Sequence, residues 1–526
     1  MNPQHEHTKK TLVKAAGVVS ASTLLSRMSG LVRDVISAHF FGVSRVWDAF
    51  VYAFMIPNLL RRLIGEGALS SAFIPVYTQI LNQKGKKEAE RVANIVFSLL
   101  VTVLGGFLFC THWIIKILLH YVTFSDKVTL ALNLLLILFP YIFFLSLVAL
   151  FMGISHCHKR FFIPSLTPLL LNIVWIGTII LFCSRGDTSP QEKITILAWG
   201  VLVAGFAQLV VNGIPLVRSG FSLRYIFDFK HPALVHVLHL MIPAALGFSI
   251  TQLNIFVDLN LAFLLGDGAN SALWYGNRLM QFPLGVFGIA MGTALLPTIS
   301  HHVAKNNIDG LKSTLSFSLR SVFLIVIPAS VGLIVLREPI VRLLFERGAF
   351  DSVATQRTAM TLLCYCLGLF AYSGIKLVVS AFYSLQDAKT PVKIGLVCMV
   401  LNLIGNIIFM QFLREAGLAL ATALSSTVNF ILLIVLLRKK IGSFEGSRIL
   451  SLFVRALGIS VLMGITTHFF FIAYVPHIFS WPSLNLLLRL LVTIAVSIGV
   501  YGVFGYVCRV PEIQKIAAAL INRIKK

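Results

Sequence analysis

Long apolar segments alternate with short polar connections along the whole chain. A membrane-spanning helix needs about 20 mainly apolar residues, and fourteen segments meet that length. We therefore predict an all-α polytopic membrane protein with about fourteen transmembrane helices. The predicted helix cores are 15–41, 47–81, 92–119, 128–155, 162–183, 194–217, 234–265, 270–303, 313–336, 355–384, 391–413, 417–437, 450–474 and 484–508.

Polar and charged side chains interrupt the first two apolar segments at helical spacing. In the first segment two neighbouring stripes are polar, and in the second segment polar residues recur every four positions. The first-segment stripes are Ser22, Ser26, Ser29 and Arg33, and Thr23, Arg27, Gly30 and Asp34. The second-segment stripe is Asn58, Arg62, Glu66 and Ser70, with Arg61 and Gly65 beside it.

Charges inside a membrane helix cost roughly 2.5 to 3.5 kcal/mol each, so they normally face a bundle interior or a watery cavity. One interpretation of these stripes is structural ion pairing, for example Arg62 with Glu66. The excess of arginine over carboxylate instead favours a cavity for an anion. Arginine suits phosphate because its planar fork can bind two oxygens.

The same region carries a family resemblance. The residues S-R-x-x-G-x-x-R-D at Ser26–Asp34, D-A-F at Asp48, P-N-L-L-R-R at Pro57 and E-G-A at Glu66 resemble the MurJ (MviN) family. Those proteins are lipid II flippases of the multidrug/oligosaccharidyl-lipid/polysaccharide exporter superfamily. The resemblance covers nearly the whole chain and includes R-L-M at Arg278 and the loop around Asp387.

Composition and loop charge agree with a membrane protein. The 526 residues are 57% hydrophobic and 12% charged, with net charge +24. Lysine and arginine concentrate at both termini and in alternate loops, which predicts a multi-pass protein of the bacterial inner membrane with both termini cytoplasmic. This distribution accounts for the positive charge without nucleic acid. We expect the seven cysteines to be free thiols and the N-terminus to carry no signal peptide.

A weak internal repeat predicts two pseudo-symmetric lobes of six helices. Helix 2 ends with A-F-I-P at Pro75 and helix 8 with A-L-L-P at Pro297, and the turns before Pro164 and Pro391 also correspond. The predicted domains are residues 1–218, 219–440 and 441–526, the last with two extra helices and a tail. Such repeats bind substrate between the halves, although chance similarity between apolar helices is the alternative.

The resemblance places a substrate-binding cavity at arginines of helices 1, 2 and 8. Asp34, Asp48 and Glu66 would be cavity acids or gating residues, with Asp48 required at the outer end of helix 2. Asn277 and Gln281 flank the helix 8 arginine where relatives have acids, which puts in doubt any coupling through a carboxylate there. The resemblance gives this role to Arg27, Arg33, Arg61 and Arg278, and the polar stripe of the second segment adds Arg62 as a cavity residue.

Four oxygen-bearing residues of helices 7, 11 and 12 are a candidate monovalent-cation site, with sodium preferred. Helix-to-helix hydrogen bonding is an equal alternative. No cofactor is expected, and sodium or the membrane potential is expected to drive transport. The four residues are Asp258, Asn402, Asn406 and Thr422.

The resemblance implies a flippase that moves lipid II, an undecaprenyl-pyrophosphate-linked sugar-peptide, from the inner to the outer leaflet by alternating access. The expected state is a monomer that contacts membrane lipids, with other cell-wall synthesis proteins as candidate partners. Helices 13 and 14 would hold the lipid tail. Two alternatives keep this fold: a flippase for another polyprenyl-pyrophosphate sugar, or a multidrug exporter. A membrane glycosyltransferase is disfavoured because no D-x-D pair is present, so we expect a transporter and not an enzyme.

Overall fold

The computed structural model describes residues 22, 24–184, 188–474, 484–514 and 518. The described chain divides into two compact units, residues 1–268 and 269–526.

The first unit contains nine α-helices and two π-helical segments within its described residues. Helix α1 covers residues 24–41. The others are α2 (Arg45–Arg61), π1 (Arg62–Leu69), α3 (Ser70–Gln83), α4 (Lys86–Tyr121), α5 (Asp126–Leu138), α6 (Pro140–Cys157), α7 (Phe162–Thr178), π2 (Ile179–Cys183), α8 (Pro190–Arg218) and α9 (Pro232–Leu264).

An aromatic cluster joins α2 to α7 in the core of this unit. The Trp175 ring lies 5.2 Å from Phe50 and 5.3 Å from Phe54, both edge to face. Trp47 stacks on Phe50 at 5.2 Å. Edge-to-face and offset stacked pairs are the favoured aromatic geometries. The cluster fixes α7 beside α2 and places the fully buried Trp175 under the polar face of α1.

The second unit contains the remaining described helices. They are α10 (Ala269–Pro283), π3 (Leu284–Ile289), α11 (Ala290–Ala304), α12 (Ile308–Val335), α13 (Arg337–Phe345), α14 (Ser352–Leu367), α15 (Leu369–Ser384), α16 (Lys389–Leu413), α17 (Glu415–Ile441), α18 (Gly446–Phe469), π4 (Phe470–Tyr474) and α19 (Leu484–Val507). Its core includes rings from α12, α15, α17 and α18: Phe323, Phe370, Phe430 and Phe453.

The all-helical membrane fold is confirmed. Wherever the structure describes them, the predicted helix cores are helical except at single turn residues, which are Phe139, Leu265, Leu336, Gly368 and Cys508. Ten helices of the described part are long and apolar enough to span a membrane, or eleven if the bent pair Ser352–Leu367 and Leu369–Ser384 is one span. The exact number of fourteen spans stays a prediction.

Two pairs of backbone features correspond between the units and support the internal repeat. The π-helical segments begin at Arg62 and at Leu284, in each case thirteen residues before the proline that the repeat pairs, Pro75 or Pro297. Lys159 and Gln386 both have positive φ, 59° and 57°, five residues before their own paired prolines. These are uncommon conformations for non-glycine residues, so their shared positions are informative.

The compact units do not divide where the predicted lobes divide. Helix α9 falls in the predicted second lobe, yet it belongs to the first unit because it packs against π1, α3, α2 and α4. The three predicted domains therefore stay a proposal about evolutionary repeats, whereas the units describe packing.

Candidate functional site

Arg33 is the centre of a buried polar cluster on α1. Its guanidinium donates from Nη2 and Nε to Asp34 Oδ1, at 2.8 and 3.1 Å, and from Nη1 to Asn172 Oδ1 at 3.2 Å. The guanidinium carbon also lies 4.6 Å from the centre of the Trp175 ring. Arg33 is 5% exposed and Asp34 is fully buried. This arrangement holds the positive charge in one orientation.

The serine stripe of α1 faces α7. Asn172 donates to the Ser26 carbonyl oxygen at 3.1 Å and to Ser29 Oγ at 2.8 Å. Near the start of the same face, Ser165 Oγ donates to Ser22 Oγ at 3.1 Å. The stripe is therefore mainly a helix-to-helix contact, and it directs Arg33 into the interior.

Arg27 lies on the neighbouring stripe and has different surroundings. It is half-buried, and among the described residues no hydrogen bond or ion pair of its guanidinium is found. Thr23, which shares this stripe in the sequence, lies outside the described residues. Arg27 thus differs from Arg33, whose guanidinium is bonded to Asp34 and Asn172.

The two arginines of the second predicted helix lie where α2 becomes π1. Arg61 is the last residue of α2, and Arg62 is the first residue of the π-helix. A π-helical turn inside an α-helix often accompanies a functional site. Arg61 is half-buried and Arg62 is exposed. The side chain of Glu66 lies outside the part of the chain that is described.

Asp48 is fully buried near the start of α2 and pairs with Lys127. Lys127 Nζ lies 2.8 Å from Asp48 Oδ2, which also accepts a hydrogen bond from the Gly268 amide at 2.7 Å. Lys127 Nζ donates further to the Phe263 and Gly266 carbonyl oxygens, at 3.2 and 2.7 Å. Sequence reasoning singled out Asp48 and missed Lys127. Lys127 follows Asp126 in a predicted loop, and nothing in the sequence indicated that its side chain is buried.

In the second unit Arg278 lies on α10. It is half-buried, and its guanidinium carbon is 5.6 Å from the centre of the Trp274 ring. The flanking Gln281 amide donates to Asn277 Oδ1, so these two residues bond to each other. Because Arg278 is in a different unit from the other four arginines, convergence of all five stays a prediction.

Lys376 on α15 is a further intramembrane cation that the sequence reading did not single out. Its side chain is exposed, while Leu377 and Val378 are fully buried. A Cβ atom placed on Gly292 of α11 would lie 3.5 Å from Lys376 Cβ, so the base of the lysine packs on α11. A lysine in a spanning helix normally faces a watery cavity. The apolar residues around it, in I-K-L-V-V, resembled ordinary lipid-facing sequence.

Three of the four proposed cation-site residues meet in the second unit. Asn402 Nδ2 donates to Thr422 Oγ1 at 3.3 Å, and Asn406 Nδ2 donates to Asn402 Oδ1 at 3.0 Å. Both asparagines are buried. The Asn402–Thr422 bond joins α16 to α17, as the hydrogen-bonding alternative expects, whereas the Asn406–Asn402 bond lies within α16. The cation site stays a prediction. Asp258 lies on α9 in the first unit.

The Asp387 loop has a structural role. Lys440 Nζ donates to Asp387 Oδ2 at 2.6 Å, and the Thr390 amide and hydroxyl donate to the same carboxylate. The Lys440 hydrogen bond is the main reason that the pKa of Asp387 falls to about 2. The carboxylate therefore caps α16 and ties its start to the end of α17.

An apolar cavity of about 370 Å³ opens in the second unit between α12, α15, α17 and α18. Phe323, Phe430 and Phe453 line it, and Arg438 lies at its edge. Helices α18 and α19 join through a hydrogen bond between Thr467 Oγ1 and Ser497 Oγ at 2.7 Å. The cavity touches only the start of α18, so a tail-binding groove at α18 and α19 stays a prediction.

These features define a polytopic helical membrane protein with cationic side chains held inside its helix bundle. The fold is that of a solved inward-facing multidrug resistance MATE family transporter of the MOP superfamily. That likeness has a TM-score of 0.67 at 15% identity, over 80% of this chain and 95% of the other.

The chain belongs to the MurJ family of lipid II flippases, whose profile matches residues 37–491. It is 37% identical to a probable lipid II flippase MurJ of Vibrio cholerae over 437 residues, 81% of this chain and 82% of the relative. It also resembles a solved lipid II flippase MurJ in an inward closed conformation, with a TM-score of 0.79 and 28% identity over 94% of this chain and 99% of that one. It is a multi-pass bacterial membrane protein.

Proposed function

We propose that this protein translocates lipid II from the inner to the outer leaflet of the bacterial cytoplasmic membrane by alternating access. Membership of the MurJ family across both compact units is the observation that carries the proposal. Its activity is transport without catalysis. Lipid II and surrounding lipids are its partners, other cell-wall synthesis proteins are candidates, and the functional unit is a monomer.

The arginines would bind the pyrophosphate and head group. Arg27 is the primary contact of the first unit because its guanidinium is available, whereas Arg33 supplies a fixed field from its clamp with Asp34 and Asn172. Arg61 and Arg62 at the π-helical junction and Arg278 in the second unit complete the cavity. Lys376 would add a further cation. A fixed charge needs no reorganisation when the anion arrives.

The acids have separate roles in this scheme. Asp34 orients Arg33, and Asp48 with Lys127 holds the end of α9 to α2 as an outer gate element. Glu66 would balance Arg61 and Arg62. Helices α18 and α19, with the neighbouring apolar cavity, would hold the polyprenyl tail. Both termini would be cytoplasmic, as the loop charges predict.

Transport would be coupled to sodium entry or to the membrane potential. Asn402, Asn406 and Thr422 would contribute oxygens to a sodium site with Asp258 of α9. The proposal predicts that lipid II flux into proteoliposomes rises with an inward sodium gradient and that Asp258→Asn abolishes this rise. Flux that is indifferent to sodium in the parent protein and unchanged in Asp258→Asn would refute the site.

The function is tested by expression in a bacterium depleted of its own lipid II flippase. Growth and outer-leaflet lipid II should return with the parent chain and not with Arg278→Ala, provided that both are inserted equally. Failure of the inserted parent chain would exclude lipid II as its cargo. Flipping assays with another polyprenyl-pyrophosphate sugar and with cationic drugs would then identify the cargo class.

A further inference from the structure

We propose that the connection between α8 and α9, residues 219–231, is an interfacial anchor that inserts aromatic side chains into an anionic phospholipid leaflet. The inference concerns membrane contact and does not depend on the transported substrate. The connection is non-helical and lies on the face that the loop charges assign to the cytoplasm. These two properties alone would also fit an ordinary solvated loop.

The connection runs along α4 toward the membrane and back again. On the way in, Lys86 Nζ donates to the Ser219 carbonyl oxygen at 3.2 Å, and Asn94 Nδ2 donates to the Ser222 carbonyl oxygen at 2.8 Å. The return contacts lie progressively nearer the start of α4. They are the Ile226 amide to Ser98 Oγ at 2.8 Å, Arg91 to Asp228 at 3.0 Å and Glu88 to His231 at 3.3 Å.

The tip of this connection, residues 224–229, reaches the level of the membrane interface. Arg91 is followed by an uncharged stretch that continues to Lys116. The loop backbone contacts Ser98, seven residues beyond Arg91, which is about 10 Å along the helix at 1.5 Å per residue. The polar zone on each side of a hydrocarbon core is roughly 5 to 8 Å deep. The tip therefore lies near the boundary between head groups and hydrocarbon.

Two backbone amides of the tip donate to side chains of α4. The Arg224 amide donates to Asn94 Oδ1 at 3.1 Å, and the Ile226 amide donates to Ser98 Oγ. Both α4 side chains are buried, with Ser98 fully so. An extended backbone in water does not need such partners, whereas one that enters a membrane does.

The exposed face of the tip is aromatic. Tyr225, Phe227 and Phe229 are 46%, 70% and 37% exposed, and successive ring centres lie 4.6 and 5.5 Å apart. The Tyr225 hydroxyl bonds to Thr102 Oγ1 of α4, so its ring lies against the spanning helix. Tyrosine is enriched at membrane interfaces, and phenylalanine is common on the buried apolar face of interfacial segments.

Charge identifies the lipid class. Arg224 and Lys230 flank the aromatic residues and are exposed. Cationic side chains close to the cytoplasmic leaflet are attracted to its anionic lipids. Because Lys230 is followed by His231 and the first residue of α9, the anchor would also set the depth at which α9 enters the membrane.

The test places a bimane fluorophore at Phe227→Cys in the full-length protein. The exposed Cys110 and Cys508 are first replaced by serine, since the other five cysteines are buried or half-buried. The control site is Asp309→Cys in another predicted cytoplasmic turn, where the side chain is 96% exposed. Proteoliposomes contain phosphatidylcholine with or without phosphatidylglycerol. Quenching by nitroxide-labelled lipid is compared with quenching by iodide on both faces.

We expect nitroxide lipid to quench the Phe227→Cys label several-fold more than the Asp309→Cys label, with iodide showing the reverse order. Phe229→Cys should behave like Phe227→Cys. Equal iodide quenching at positions 227 and 309 would overturn the proposal. A label that neither quencher reaches would also overturn it, because protein would then cover the loop.

The lipid class is tested in the same vesicles. Phosphatidylglycerol should increase nitroxide quenching of the Phe227→Cys label, and the added substitutions Arg224→Gln and Lys230→Gln should remove that increase. Quenching that is identical with and without phosphatidylglycerol in the parent background would refute the anionic preference.

Discussion

Lys127 Nζ lies 2.8 Å from the fully buried carboxylate of Asp48, and it also reaches two carbonyl oxygens at the end of α9. One ammonium group therefore joins α5, α2 and the turn that ends α9. Charges removed from water need this density of partners, because an unpaired buried ion costs several kcal/mol.

Removing one partner of this pair should destabilise the protein strongly. We expect Lys127→Met to lower the free energy of unfolding by about 3 to 5 kcal/mol, because Asp48 keeps its charge without a counter-ion. The double variant Asp48→Asn with Lys127→Met should recover part of that loss. Thermal unfolding in detergent measures both. The exposed pair Arg342–Glu338 on α13 is the control, and Arg342→Gln should cost no more than about 1 kcal/mol. Equal losses at the two pairs would contradict this reading.

Arg33 and Arg27 should respond differently to replacement by lysine. Arg33→Lys loses the fork that bonds Asp34 and Asn172, so we expect a stability loss of about 1 to 3 kcal/mol. Arg27→Lys should leave stability unchanged and still lower lipid II flux, because only contacts to substrate are lost. Unfolding temperature and flux, measured on the same preparations, separate the two cases. A large stability loss in Arg27→Lys would refute its assignment as the available cation.

Lys376 should contribute charge to transport. We expect Lys376→Gln to lower lipid II flux several-fold at normal membrane insertion, while Lys376→Arg keeps most of it. Lys389→Gln is the matched control, since Lys389 is an exposed lysine at the start of α16. If Lys376→Gln transported as well as this control, the lysine would have no role in the cavity.

Stability should depend on pH through Asp387. Its pKa is about 2 in the folded protein against a usual 3.8, so its contribution is complete above about pH 4 and is lost as the pH falls from 4 toward 2. Asp387→Asn should therefore unfold at a lower temperature than the parent at pH 7, and the difference should shrink toward pH 2. Unfolding temperatures of both proteins across this range measure the effect. A difference that stays constant with pH would exclude the ionised carboxylate as its source.

The spanning helices could be predicted from sequence because hydrophobic length is a local property. A helix must satisfy its own backbone in lipid, so each long apolar segment leaves few other choices. Arg33 was identified for a similar reason: a charge inside an apolar segment is costly wherever the helix lies. The resemblance at Ser26–Asp34 then supplied the family, which the comparisons confirm.

Contacts between distant segments required the tertiary structure. The serine stripe of α1 is visible in the sequence, but only packing shows that Asn172 of α7 faces it. Lys127 appeared as a loop lysine, and its burial depends on where α9 ends. Residues 219–231 lie between two predicted helix cores, and their return along α4 depends on Asn94 and Ser98. Periodicity along one chain fixes which face of a helix is polar. What that face meets depends on segments far away in sequence, which only the folded chain brings together.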